Sequence, residues 1–237
     1  MIQFLTFAGR ASYDFGIHIS GEALFDAPKR KYSSQKVPGR NGELLIDEDS
    51  FENITVKYPS GIIDDMPVRI KDFINFAGSK AGYQRLEDTY NPDEFRLAQY
   101  AGGTKIKAED YMNRIGTFDL EFNCKPQRFL KSGENQIEFQ QAGAIYNKTN
   151  FGSKPKIHIT GTGDGTVGIG DYIITITDLD GYMDIDCELM DATKGPTNEN
   201  AKVSFNADSF LIEPGENGIT FSGDIESVIV TPRWFKI

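Results

Sequence analysis

Apolar and polar residues alternate along most of this chain, and in one stretch the period lengthens. Ile54, Val56 and Tyr58 alternate with Thr55 and Lys57, the pattern of a strand with one buried and one wet face. Residues 1 to 60 read mostly as strand on this basis. Ile70, Phe73, Ile74 and Ala77 then recur at helical spacing, with Asp64-Asp65-Met66-Pro67 before them and Gly78 and Gly82 after. Proline suits a first helical turn, acids suit the positive end of a helix, and glycine suits its exit. The spacing predicts one helix here and gives no comparable signal elsewhere.

Alternation then returns. Gln84 to Asp88 and Phe95 to Tyr100 read as a hairpin around Tyr90-Asn91-Pro92-Asp93. Ile115 to Cys124 alternates throughout, and Lys125-Pro126 is expected to end that strand. The pattern weakens from 131 to 150, through Lys131-Ser132-Gly133-Glu134-Asn135 and a Gln-rich stretch, where a domain boundary is expected. Beyond Pro155, short strands are predicted at 156–160, 172–177, 182–188, 203–205, 218–221 and 227–230, spaced as in a β-sandwich. The chain thus reads as mainly β with one α-helix, in two domains, 1–135 and 136–237.

Composition adds limits. With 237 residues, 39% of them hydrophobic, two ordinary globular domains or one large β domain fit. The formal net charge of −10 disfavours binding to nucleic acid, and no apolar stretch approaches the roughly 20 residues of a membrane span. The first residues, MIQFLTFAGRAS, are too short and polar for a signal peptide. Cys124 and Cys187 each share a strand face with apolar neighbours and are expected to be buried, free thiols.

Candidate chemistry is thin. Gly163-Asp164-Gly165-Thr166-Val167-Gly168 fits G-x-G-x-x-G, but a dinucleotide site needs a helix next. Tyr172 to Thr177 reads as strand instead, which leaves a glycine-rich turn. Asp178, Asp180, Asp184, Asp186 and Glu188 crowd one region, yet the last three alternate with Met183, Ile185 and Cys187 as a wet strand face would. His18 and His158 are too few for a zinc site. No catalytic, cofactor-binding or metal-binding residue is assigned, and no enzyme is expected. A cell-wall hydrolase would need a metal or a carboxylate pair. The lone tryptophan, Trp234, is expected to anchor the terminus, with a loss of about 3–5 kcal/mol on truncation if it is buried.

The most definite local feature is Val37-Pro38-Gly39-Arg40-Asn41-Gly42, a rigid turn in which Asn41-Gly42 is a strong tight-turn signal. It separates two blocks of opposite charge. Lys29, Arg30, Lys31, Lys36 and Arg40 come first, and Glu43, Asp47, Glu48, Asp49 and Glu52 follow. Such a hairpin can pair with itself in solvent, or it can meet the opposite charges of another copy head to tail. The second reading makes Lys31, Lys36, Pro38, Gly39, Arg40, Asn41, Gly42, Asp47 and Asp49 the expected subunit-interface loop.

These residues also carry a resemblance. Val37 to Gly42 with Phe51-Glu52-Asn53-Ile54-Thr55-Val56-Lys57-Tyr58, then Tyr83-Gln84-Arg85-Leu86-Glu87-Asp88 and Asn91-Pro92-Asp93-Glu94-Phe95-Arg96-Leu97-Ala98, are similar to the N-terminal half of the distal tail proteins of long-tailed, non-contractile bacteriophages. Lys154-Pro155-Lys156-Ile157, Ile212 to Ile219 and Pro232-Arg233-Trp234 resemble that family's C-terminal half. The resemblance implies a homohexameric ring of N-terminal domains joining the tail tube to the tail tip. It also implies an outward galectin-like C-terminal β-sandwich on which receptor-binding or baseplate proteins dock. The partners would be other copies, the tube protein, a lysin-like tip protein and adhesins, with no cofactor. Its place would be the tail tip of the virion, after assembly in the bacterial cytoplasm. Acidic charge lining such a channel would keep passing DNA from adhering. A carbohydrate-binding module is the alternative, with Trp234, Tyr172 and Tyr182 as its aromatic platform.

Overall fold

The computed structural model describes residues 3–20, 27–102, 107–108 and 115–237, with 107–108 described in backbone alone. Parts of the strand-rich stretch expected over 1 to 60, at 1–2 and 21–26, lie outside the described residues. The chain divides into two compact units, one of residues 1–128 with 237, the other of 129–236. It is mostly β, with curled sheets and a single α-helix among the described residues.

In the first unit the strands are β1 (Leu5–Phe7), β2 (Arg10–Ala11), β3 (Ile17–Ile19), β4 (Arg30–Lys36), β5 (Glu43–Phe51) and β6 (Ile54–Ile62). Helix α1 (Met66–Gly78) follows, then β7 (Gln84–Asp88), β8 (Glu94–Tyr100), β9 (Lys107–Ala108) and β10 (Gly116–Leu130). One sheet runs in the order β2-β1-β7-β8-β10-β6-β3, with β9 also on β10, while β4 and β5 pair as a separate two-stranded ribbon. The helix buries Met66, Ile70, Phe73 and Ala77 in the same core as Phe7, Tyr58, Leu120 and Phe122 of the sheet. Each fully buried large side chain contributes roughly 1.5–3 kcal/mol, so packing outweighs the weak intrinsic preference of this sequence for helix. Ile74, expected on the buried stripe, is 40% exposed. The carbonyl of Asp65 accepts from the amides of Val68 and Arg69, so Asp65 caps the helix through its backbone and not its side chain.

The hairpin expected over 84–100 forms as β7 and β8. By contrast, Lys125-Pro126 does not end its strand: β10 runs on to Leu130. Its ladder with β6 finishes at Cys124 opposite Ile54, so the amide missing at Pro126 removes no bond from that pairing.

The second unit contains β11 (Ile137–Phe139), β12 (Gly143–Asn147), β13 (Lys156–Ile169), β14 (Tyr172–Asp186), β15 (Asp191–Lys194), β16 (Thr197–Asn198), β17 (Val203–Phe205), β18 (Gly215–Thr231) and β19 (Phe235–Lys236). The separate strands expected at 172–177 and 182–188 are one strand, and so are those at 218–221 and 227–230. The punctuating residues between them bend a continuous ladder and do not reverse the chain. The sheet order is β11-β18-β13-β14-β15-β16, with β12 on the first half of β18 and β17 on the first half of β14. Ile157 and Ile159 from one half of β13 and Val167 and Ile169 from the other share a single core with Ile174, Met183, Ile219 and Val228. The sheet is therefore folded over onto itself as two layers.

The glycine motif sits at that fold. Gly163-Asp164-Gly165 lies within β13, where the register slips against both β14 and β18. A Cβ on Gly223 would come 2.2 Å from the Asp164 carbonyl oxygen, and Gly223 has φ +75°. This close backbone crossing gives the glycines a structural use, and the motif is a bend in a strand, not the turn expected from the sequence.

Candidate functional site, the charged hairpin

The ribbon of β4 and β5 is built around a six-residue connection. Lys36 stands opposite Glu43, and the Arg40 amide donates to the Val37 carbonyl at 3.2 Å. Pro38 at the second turn position and Gly39 with φ +77° at the third give the signature of a type II turn. Gly42 also takes positive φ, at +84°, whereas Asn41 does not. The tight turn is thus Val37–Arg40, not the expected Asn41-Gly42. The prolyl ring presets the first central φ, which favours this choice.

Alternation places Tyr32, Ser34 and Lys36 on one face with Asp47, Leu45 and Glu43, and Ser33 and Gln35 on the other with Ile46 and Leu44. Both faces are open. Tyr32 is 52% exposed, Leu45 62% and Ile46 50%. A two-stranded ribbon is marginal in water, and this one leaves its apolar residues uncovered.

Charge is distributed unevenly over it. Arg30 Nε donates to Asp47 at 2.6 Å and its terminal nitrogen to Asp49 at 3.0 Å. The Asp49 amide, at a position with φ +48°, donates to Asp47 at 2.9 Å. The hydrogen bond from Arg30 holds the Asp47 carboxyl below its ordinary value, and the same bond raises Arg30. Two of the expected interface acids are therefore engaged within the hairpin. Arg30, the residue that engages them, belongs to the basic block but lay outside the expected interface set. The Lys36–Glu43 register, carried back without a break, would set Arg30 opposite Asp49; an irregularity between Arg30 and Tyr32 sets it opposite Phe51 instead, and its long side chain still reaches both acids. Among the described residues Lys31, Lys36, Arg40, Glu43 and Glu48 make no ion pair.

Trp234 lies apart from the hairpin. It is half-buried against the core of the second unit, and its carbonyl accepts from the Leu130 amide at 2.8 Å. A Cβ on Gly133 would strike the Trp234 nitrogen at 2.3 Å. Next to it, Arg233 grips Asp186 with two bonds of 2.8 and 2.7 Å. Tyr172 is half-buried against Phe210 and donates to Glu213 at 2.9 Å, and Tyr182 stacks on His158. The three aromatics considered for a sugar platform are thus half-buried.

Four of the five crowded acids of the second unit pair with a basic side chain. Asp178 pairs with Lys202, Asp180 with Lys194, Asp184 with His158 and Asp186 with Arg233. Among the described residues no group of three or more His, Cys, Asp or Glu is placed to hold a metal ion. No helix among them is long and apolar enough to cross a membrane. Cys124 and Cys187 are both buried and free.

Comparison with known proteins places this fold. No family model and no curated protein matches the sequence. Among solved structures, the Dit protein (gp 19.1) of phage SPP1 is similar over 100% of both chains, with a TM-score of 0.79 at 9% identity. The chain has the Dit fold. That structure is described as a paradigm of the hub adsorption apparatus in phages infecting Gram-positive bacteria.

Proposed function

We propose that this chain is a distal tail protein, the hub of the adsorption apparatus at the tail tip of a long-tailed, non-contractile phage. Full-length likeness to SPP1 Dit, across both chains, is the observation that carries this reading. In it, first units assemble as a homohexameric ring between the tail tube and a lysin-like tip protein. The second units offer docking sites to receptor-binding or baseplate proteins. The hairpin at 30–51 supports the ring, because its apolar residues are uncovered and Lys31, Lys36 and Arg40 carry no partner in their own chain among the described residues. Charged and apolar groups left unsatisfied in a monomer are the usual material of a subunit contact.

The test is mass in solution by light scattering, with negative-stain images of the same sample. Wild-type protein should form a closed ring. Arg40→Glu, or deletion of residues 38–42, should lower the ring population at least tenfold while circular dichroism shows each unit still folded. Rings of normal abundance from both variants would sink the role of the hairpin.

A further inference from the structure

The face that could receive such a hairpin is also present on the first unit. A groove of about 360 Å³ is lined by Arg10, Asp14, Phe15, Arg69, Asp72 and Asn75. A 3-10 turn, Ser12–Phe15, supplies one wall and α1 the other. Gly16 makes their approach possible. It ends the turn with φ +68°, and a Cβ there would come 2.7 Å from Arg69 Cδ. The Arg10 guanidinium carbon lies 4.3 Å above the Phe15 ring and 5.1 Å from that of Phe76, so its charged head rests on an aromatic floor. Among the described residues neither arginine and neither aspartate of this groove has an ion pair. Val68, a turn before Asp72, is 53% exposed.

The groove thus offers two cations and two anions, none in an ion pair among the described residues, beside the Phe15 ring. The hairpin tip offers the complementary set, Arg40 and Glu43, also without ion pairs, with Val37 at 38% exposure beside them. We propose that the groove between the 3-10 turn and α1 is the acceptor for the hairpin tip of a second copy of this chain. Arg40 meets Asp14 and Asp72, and Glu43 meets Arg10 and Arg69. The contact is heterologous, tip to groove, so each copy keeps one free donor and one free acceptor until the assembly closes. This inference rests on the ring reading above and adds the identity of the surface that the hairpin contacts.

Disulfide trapping tests it. Arg40→Cys and Asp72→Cys are made in separate full-length chains, mixed and oxidised. The native thiols are buried and do not compete. Covalent dimers of the mixture should exceed, by tenfold or more, those of either variant alone and those of Arg40→Cys mixed with Tyr146→Cys, an exposed control in the second unit. As a second readout, Arg40→Asp and Asp72→Arg should each reduce assembly by light scattering, and the double variant should restore it. Assembly of the wild type, with no excess crosslinking between positions 40 and 72 and no charge-swap rescue, overturns the acceptor and leaves the ring intact. A wild type that stays monomeric at every concentration, with no linkage, overturns both.

Discussion

At the residue scale the second unit carries two groups whose titration reports on folding. Burial alone would raise the Asp186 carboxyl, but the two bonds from Arg233 outweigh it and hold it below the ordinary aspartate value. A depressed folded value means that its stabilisation is present above the unfolded pKa and is lost as pH falls through the folded one. Asp186→Asn should therefore cost roughly 1.5–3 kcal/mol at neutral pH, measured by denaturant titration. The gap to wild type should narrow once pH drops below about 4. A pH-independent difference would refute the account. Burial, with Asp186 adding to it, pushes the Cys187 thiol up to about 12, and Cys124 is fully enclosed. Neither should react with maleimide at pH ~8 in the folded protein; both should react in denaturant. Burial of these cysteines follows directly from their places among Phe118, Leu120, Phe122, Met183 and Ile185. The Arg233–Asp186 pair was invisible, because 47 residues separate its members.

The elements show where pattern reading succeeds. Strand and helix periods come from neighbouring side chains seeking one face, so α1, β7 and β8 were legible. Turn residues are ambiguous, since glycine and aspartate serve equally well where a chain reverses and where a continuing strand bends. The bend of β13 against β18 needs a partner strand to be recognised. Gly223→Ala would add both backbone strain and contact with the Asp164 carbonyl. Its expected cost is roughly 2–5 kcal/mol, read as a lowered denaturation midpoint. An unchanged midpoint would mean that the bend relaxes freely. The type II turn at Val37–Arg40 is a similar case. Its residues announce a turn, and only the register Lys36–Glu43 says which four of them close it.

At the scale of the whole molecule, the net charge of −10 is not spread evenly. Among the described residues the hairpin keeps three cations without a partner, and the groove at α1 keeps two acids and two arginines without ion pairs. If assembly draws on these groups, salt should weaken it as the screening length falls from about 10 Å at ~0.1 M to about 3 Å at ~1 M. Light scattering at several ionic strengths checks this, and assembly that grows stronger throughout that range would argue for purely apolar contact. Uncovered Leu45 and Ile46 give the assembly a salt-insensitive part as well, so partial rather than complete loss is expected.

Periodicity along the chain determined the fold class by itself: mainly β, one helix from Met66 and two thiols facing cores; its turn residues marked a charged turn within 37–42, though not which four of them close it. Each depends on residues close in sequence, whose preferences add locally. Tertiary structure alone decided that four of the short strands in the second half are two long ones folded over, that Arg30 holds Asp47 and Asp49, and that Arg10, Asp14, Arg69 and Asp72 line one groove. Those outcomes depend on register and on which strand lies beside which. Many pairings satisfy the same local alternation, and the choice among them is made by the packing of the whole chain.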